Sequence, residues 1–246
     1  NANTSQINID PINLTWDPVN LNTWEFIFDN VIMQHNSKWF PFEFWVNYWS
    51  KIVSEWPIWY NFDHVYNQYI TEQLNWNIYY HNWKLWVFEF VKNSNWFNYN
   101  KYISAELKIV DGKYNIIFNN SKTIVFNTDL KIESINDNFG NTFSFIYDTE
   151  KLIQIIDSNN RMYNLSYNSD SKLQNITDFN WNKVEFVYYQ DWDINWTKFD
   201  LKTIKIVNWA SIKEINFTYT IWADNVSSHN IVKLIDSENN IYVKNI

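Results

Sequence analysis

The segment Asp178–Tyr188 reads DFNWNKVEFVY, and its fourth residue decides how the chain is read. Two other stretches share its frame: DNFGNTFSFIY from Asp137 to Tyr147 and DSNNRMYNLSY from Asp157 to Tyr167. Each has an Asp, a fourth position, an alternating tail and a closing Tyr. The fourth position is Gly140, then Asn160, then Trp181. Gly and Asn tolerate positive φ and suit tight hairpin turns. A bulky residue there is a strained outlier.

The composition sharpens the question. Glycine occurs twice in 246 residues and tryptophan 16 times. Average proteins hold about 7% glycine, and the two residue types together come close to that content. Asn-Trp occurs six times, at Asn75, Asn82, Asn95, Asn180, Asn195 and Asn208. Asn-Gly is a strong hairpin signal and Asn-Trp is not one. Trp192 lies between two aspartates and Trp56 precedes Pro57. The reading favoured here is that many or all of these tryptophans stand where the organism has glycine. A UGA codon read as glycine in the cell, but translated as tryptophan, produces this pattern. The alternative is a truly tryptophan-rich, carbohydrate-binding surface.

Wider limits follow from charge and residue types. The length suits one large domain or two small ones, with room for a substantial core. The formal net charge is −8 and no Lys/Arg run exists, which argues against nucleic acid as a partner. Cysteine is absent, so disulfides, thiolate metal sites and Cys nucleophiles are excluded. No apolar run reaches membrane-spanning length, so no membrane insertion is expected. No signal peptide is visible, and the NANTSQ start reads as that of a cut-out piece.

The later half is periodic. Asp137, Asp157 and Asp178 are matched by Tyr147, Tyr167 and Tyr188 at the same spacing. Between them lie KLIQIID, with Leu152, and KLQNITD, with Leu173. A diverged copy occurs near the end as IVKLIDSENNIYV. VDGKYNIIF (Val110–Phe118) and HNWKLWVFEF (His81–Phe90) look like half of the same unit. A fixed period of this length implies an array of one supersecondary unit. Each unit reads as two short strands rich in β-branched and aromatic residues, joined by polar stretches such as Asn168–Ser171. The Asp-x-x-Gly/Asn element makes the tight turn. The fold expected is therefore all-β: successive antiparallel hairpins forming a long curved or spiralling sheet. Residues 1–75 lack the period and read as a separate β-rich module. Residues 76–246 carry the repeats, clearest over 130–190, with the diverged copy at 231–246.

Candidate chemistry is thin. The four histidines, His35, His64, His81 and His229, lack metal-ligand spacing. Asp191 and Asp193 flank Trp192. Such a carboxylate pair could serve glycoside hydrolysis, but QDWDINW reads as a polar loop. Asp137, Asp157 and Asp178 recur with the repeat, which points to a structural role: each carboxylate can accept backbone N–H groups in its turn. Neither Gly112 nor Gly140 belongs to a phosphate loop, and no nucleophile elbow is present. No catalytic residue, metal or cofactor is expected. The closing tyrosines alternate with Phe145, Leu165 and Phe186 and so fall on one strand face, where they could stack into ladders between hairpins.

At this point the residues resemble a known family. TWDPVNLNTWEF (Thr15–Phe26), with Trp16 and Trp24 taken as glycine, resembles the opening motif of the bacterial Rhs, or YD-repeat, proteins. WFPFEFWVNYWS (Trp39–Ser50) and EWPIWYNFDHVYNQYI (Glu55–Ile70) are similar to the segments that follow it. Trp56 and Trp59 fall on family glycines, His64 and Tyr66 fit the pattern, and Phe62 replaces a family tryptophan. The later part keeps the YD frame, Leu-x-x-Ile-x-Asp-x-x-Gly up to a closing Tyr. Asp137, Gly140, Tyr147, Leu152, Asp157, Asn160, Tyr167, Leu173, Asp178, Trp181 and Tyr188 are its repeat positions. Two departures stand out. NTDLKI (Asn127–Ile132) lacks a glycine after Asp129, and Val46-Asn47 replaces a basic residue before Tyr48.

The resemblance implies a strip of hairpins that closes into a hollow shell around a C-terminal, often toxin-like, segment. It implies a non-enzymatic fragment of a secreted or cell-surface polymorphic-toxin-type protein. Its partner would be the downstream part of the same polypeptide. The alternative function is a carbohydrate- or surface-binding β module.

Overall fold

A computed structural model describes residues 19–20, 25–38, 40–50, 57–58, 61–84, 86–193, 200–220 and 229–244. These residues are all-β, and none of them is helical. The chain forms two compact units, each assembled from separate segments. The first comprises Asn1–His35, Glu43–His64 and Tyr163–Ile246; the second comprises Asn36–Phe42 and Val65–Met162.

The N-terminal strands are β1 (Val19–Asn20), β2 (Glu25–His35), β3 (Phe42–Trp49) and β4 (Phe62–His64), hydrogen-bonded in that order. A three-stranded sheet follows, of β5 (Tyr69–Glu72), β6 (Ile78–His81) and β7 (Val87–Phe90), and then a small hairpin of β8 (Lys92–Asn93) and β9 (Trp96–Phe97).

The repeat region of the second unit contains β10 (Ala105–Val110), β11 (Lys113–Phe118), β12 (Thr123–Phe126), β13 (Ile132–Asn136), β14 (Thr142–Asp148) and β15 (Lys151–Ile156). That of the first unit contains β16 (Met162–Tyr167), β17 (Leu173–Thr177), β18 (Lys183–Tyr188), β19 (Leu201–Val207), β20 (Ile212–Tyr219), β21 (Ile231–Asp236) and β22 (Ile241–Lys244). Within each run the strands pair antiparallel in chain order, and no strand order returns to its start, so these are open sheets of linked hairpins rather than closed barrels.

Period-two alternation gives each run two unlike faces. One face is apolar: Phe186 lies opposite Ile204, Ile204 opposite Ile215, and Phe217 opposite Leu234. All of these are buried. The other face is polar, with Glu185 opposite Lys205 and Lys205 opposite Glu214. In the first unit the N-terminal sheet covers the apolar face. Phe28 and Phe62 meet the ring of Phe217 edge-on, with centroids 5.5 and 5.3 Å away. In the second unit Phe40 and Tyr66 pack on Phe143 and Phe145, and Tyr80 packs on Phe126. A single hairpin cannot bury its apolar side; here a second layer from the part of the chain that precedes β10 does so.

Candidate functional site: the repeated turn and its clasp

The turn at Asp178 is the clearest instance. Asp178 Oδ1 accepts the backbone N–H groups of Asn180 and Asn182, both at 2.8 Å. Its Oδ2 accepts Asn182 Nδ2 at 2.8 Å and lies 2.9 Å from His35 Nε2, at the end of β2. Burial alone would raise this carboxyl. The His35 imidazole nitrogen close to Oδ2, together with the hydrogen bonds from the Asn182 side chain and from the two N–H groups, outweighs it and holds the pKa below the usual aspartate value. The backbone closes as Asp178 N–H to Asn182 O at 2.9 Å and Trp181 N–H to Asp178 O at 3.1 Å. The fourth residue, Trp181, has φ 66°.

The same construction recurs. Asp137 Oδ1 accepts from Phe139 and Asn141 N–H at 2.8 and 2.9 Å, and Gly140 has φ 83°. Asp157 Oδ1 accepts from Asn159 and Arg161 N–H at 2.8 and 3.1 Å, and Asn160 has φ 60°. Asp236 Oδ1 accepts from Glu238 and Asn240 N–H, both at 2.9 Å, and Asn239 has φ 64°. Asp137, Asp157 and Asp178 thus sit at matching bends, each anchoring its own turn.

Asparagine does the same at Asn127 and Asn168. Their Oδ1 atoms accept from the second and fourth residues onward, with Leu130 and Ser171 at φ 62°. The stretch Asn168–Ser171 is therefore a second copy of the turn rather than a plain polar joint. In NTDLKI the anchor is Asn127, not Asp129, and Leu130 fills the left-handed position. The sequence signal was present: an Asx residue four before a Lys that immediately precedes the next strand, at Asn127/Lys131 and again at Asn168/Lys172.

These turns show which property of glycine suits the fourth position. A Cβ added at Gly140 meets nothing within 4 Å. The Trp181 side chain is 87% exposed. The slot is open in space, and its demand lies in the backbone φ alone. Trp76 has φ 65° in a turn of the same backbone pattern, closed by Gln73. Trp83, Trp96, Trp192 and Trp209 lie in or beside bends without positive φ. Trp16, Trp24, Trp56 and Trp59 lie outside the described residues.

The closing tyrosines have a second role. Tyr147, Tyr167 and Tyr188 each sit at a register shift, opposite Leu152, Leu173 and Leu201. Phe126 opposite Ile132 and Tyr219 opposite Ile231 repeat the arrangement. A bulge of this kind adds twist and re-aims a side chain. The buried Tyr188 hydroxyl then donates to Leu173 O at 2.6 Å, one hairpin back, and Tyr219 donates to Leu201 O at 2.6 Å. Burial raises both phenols well above the usual tyrosine value. In these two repeats the closing residue links hairpins through its hydroxyl. Tyr219 was missed by the sequence reading, although INFTY repeats the alternation of VEFVY.

Other polar groups lie outside these turns. Asp200 Oδ1 lies 2.8 Å from His229 Nδ1, and burial raises the Asp200 carboxyl against the lowering effect of that histidine. The Tyr48 hydroxyl donates to His229 O at 2.8 Å. Burial pushes His64 down to about 3, so it stays neutral beside Phe44. Asp193 is held by Lys202 Nζ and Gln190 N–H, both at 2.8 Å, while Asp191 is exposed; the pair lies in a loop. Among the described residues no three His, Asp or Glu side chains converge on a metal position, and no helix is long and apolar enough to cross a membrane.

No family model matches the chain, and no curated protein matches it.

Proposed function

We propose that the chain is a non-enzymatic structural part of a secreted or cell-surface Rhs/YD-repeat protein. Its strips of hairpins would form one stretch of a β-shell around a C-terminal, toxin-like segment of the same polypeptide. One observation carries the reading. The closing aromatic falls opposite a Leu or Ile, at a bulge, in five places from Phe126/Ile132 to Tyr219/Ile231. Asx-anchored turns mark the same period. A frame that spends its polar groups on its own turns and registers is suited to building a wall. Containment needs no reacting group, only a hydrogen-bonded sheet too continuous for a protease to enter.

The test uses the longer gene product. Expressed whole, its C-terminal segment should resist protease while the hairpin region is intact. Digestion as fast as that of the segment alone would end the containment reading. A second reading, a carbohydrate- or surface-binding β module, is supported by the exposure of Trp76, Trp86, Trp96, Trp181, Trp192 and Trp209. Binding in a glycan array that is lost when these residues are replaced would favour it.

A further inference from the structure

Asp200 immediately precedes β19 in the first unit, and its side chain is 2% exposed. The two carboxylate oxygens are treated differently. Oδ1 lies 2.8 Å from His229 Nδ1. Oδ2 is buried and has no hydrogen-bond partner. A buried anion needs donors or a counter-charge on each side, and leaving one side bare is costly.

Three tyrosines of the same unit lie within electrostatic reach of this carboxylate. The hydroxyl of Tyr219, in β20, donates to the carbonyl of Leu201, the next residue, at 2.6 Å. Tyr48, in β3, donates to His229 O at 2.8 Å and accepts the Ile231 N–H at 3.2 Å. The backbone N–H of Tyr189 donates to Asp200 O at 2.9 Å, and its hydroxyl donates to Phe217 O at 2.8 Å. Burial raises all three phenols, and the charge of Asp200 raises them further. They therefore stay protonated, and each proton is committed to a backbone carbonyl. What the phenols still offer is lone pairs. Around Oδ2 the inventory is thus acceptors, with every donor spent.

We propose that Asp200 Oδ2 and the phenol oxygens of Tyr48 and Tyr219 form a binding site for a monovalent cation, an alkali ion or ammonium. A set of acceptors around one uncompensated carboxylate oxygen selects a ligand that brings positive charge. Among the described residues no third His, Asp or Glu joins Asp200 and His229. Divalent calcium, which takes six to eight oxygens and commonly several carboxylates, does not fit so small a charge. The bound ion fastens Tyr48 of the N-terminal sheet to the hairpins of β18–β21. The rival occupant is an ordered water, which supplies donors but no charge and is indifferent to the salt present. This inference goes beyond the containment reading and does not rest on it: a shell wall without the ion keeps its turns and its function.

The test is urea unfolding of the whole chain at pH 8 and constant ionic strength, in potassium, sodium or ammonium chloride against choline chloride. Choline is too large for the site and serves as the inert cation. At least one of the three small cations should stabilise the chain saturably. At a concentration ten times its Kd, it should lower the unfolding equilibrium constant about tenfold. The ranking of the three tells an alkali ion from ammonium. Asp200→Asn, which keeps the shape and removes the charge, should abolish the difference between the small cations and choline. Tyr48→Phe and Tyr219→Phe, each removing one oxygen, should raise the Kd several-fold. The proposal is overturned if the three small cations and choline give the same midpoint, which is the result a water predicts. It is equally overturned if Asp200→Asn keeps the cation effect of the parent. Should Asp200→Asn fail to fold, an unchanged Kd in both tyrosine variants overturns it.

Discussion

Replacing Trp181 by glycine should stabilise the protein, which is an unusual outcome for removing a large aromatic residue. The side chain is 87% exposed, so little buried area is lost. Its φ of 66° is left-handed, which costs an L-residue about 1–2 kcal/mol. Glycine relieves that strain but gives back about 0.5–1 kcal/mol through the greater freedom of its unfolded chain. The expected net gain is about 0.5–1 kcal/mol. Alanine keeps the strain, so Trp181→Ala should lie close to the parent and below Trp181→Gly. Trp209 supplies the opposite control. It is 96% exposed but lacks positive φ, so Trp209→Gly should destabilise by about 0.4–1 kcal/mol. The assay is urea unfolding followed by far-UV circular dichroism, with midpoints compared at a common slope. If Trp181→Gly is no more stable than Trp181→Ala, the backbone argument fails.

Other predictions concern the clasp, the core and pH. Tyr188→Phe and Tyr219→Phe each leave a buried carbonyl short of its donor and should cost about 1–3 kcal/mol by urea midpoint. Phe217→Ala, at the seam of two layers, should cost about 3–5 kcal/mol, whereas Phe139→Ala, exposed at a turn, should change stability by less than about 0.5 kcal/mol. Stability should fall in acid. The folded pKa of His64, about 3, lies below its unfolded value of about 6.5, so its contribution is full above pH 6.5. The loss grows by about 1.4 kcal/mol per unit as pH falls below 6.5 and amounts to about 2 kcal/mol at pH 5. The lowered Asp178 adds a further loss, beginning near its unfolded value of about 3.9 and ending as pH falls through its folded value. His64→Phe should flatten the slope between pH 7 and 5 when midpoints are compared. Mass spectrometry of the Trp181 peptide from the native host should find glycine if UGA is recoded there, and tryptophan if it is not.

Much of the fold was legible because strand period and turn chemistry repeat in the chain. Val184, Phe186 and Tyr188 alternate, and the burial of all three follows. The recurrence of Asp137, Asp157 and Asp178 placed the bends because one carboxylate can satisfy two N–H groups only in this local geometry. The Asn168 turn was harder to see, since Asn and Asp share the acceptor but not the letter. The bulges beneath the tyrosines left no local mark: one extra residue on one strand becomes visible only when its partner is known. Contacts between distant segments were hidden for a similar reason. Nothing in the neighbourhood of His35 announces that Asp178 lies 2.9 Å away, and Tyr69 and His81 become a stacked pair only through the β5–β6 register.

The most direct test of the repeated turn is a measurement of backbone conformation at its fourth position. Strong intraresidue Hα–HN NOEs, the signature of positive φ, are expected together at Gly140, Asn160, Ser171, Trp181 and Asn239 in solution. Weak NOEs at Asn160 and Trp181, with a strong one at Gly140 alone, would show that these bends are not one structure.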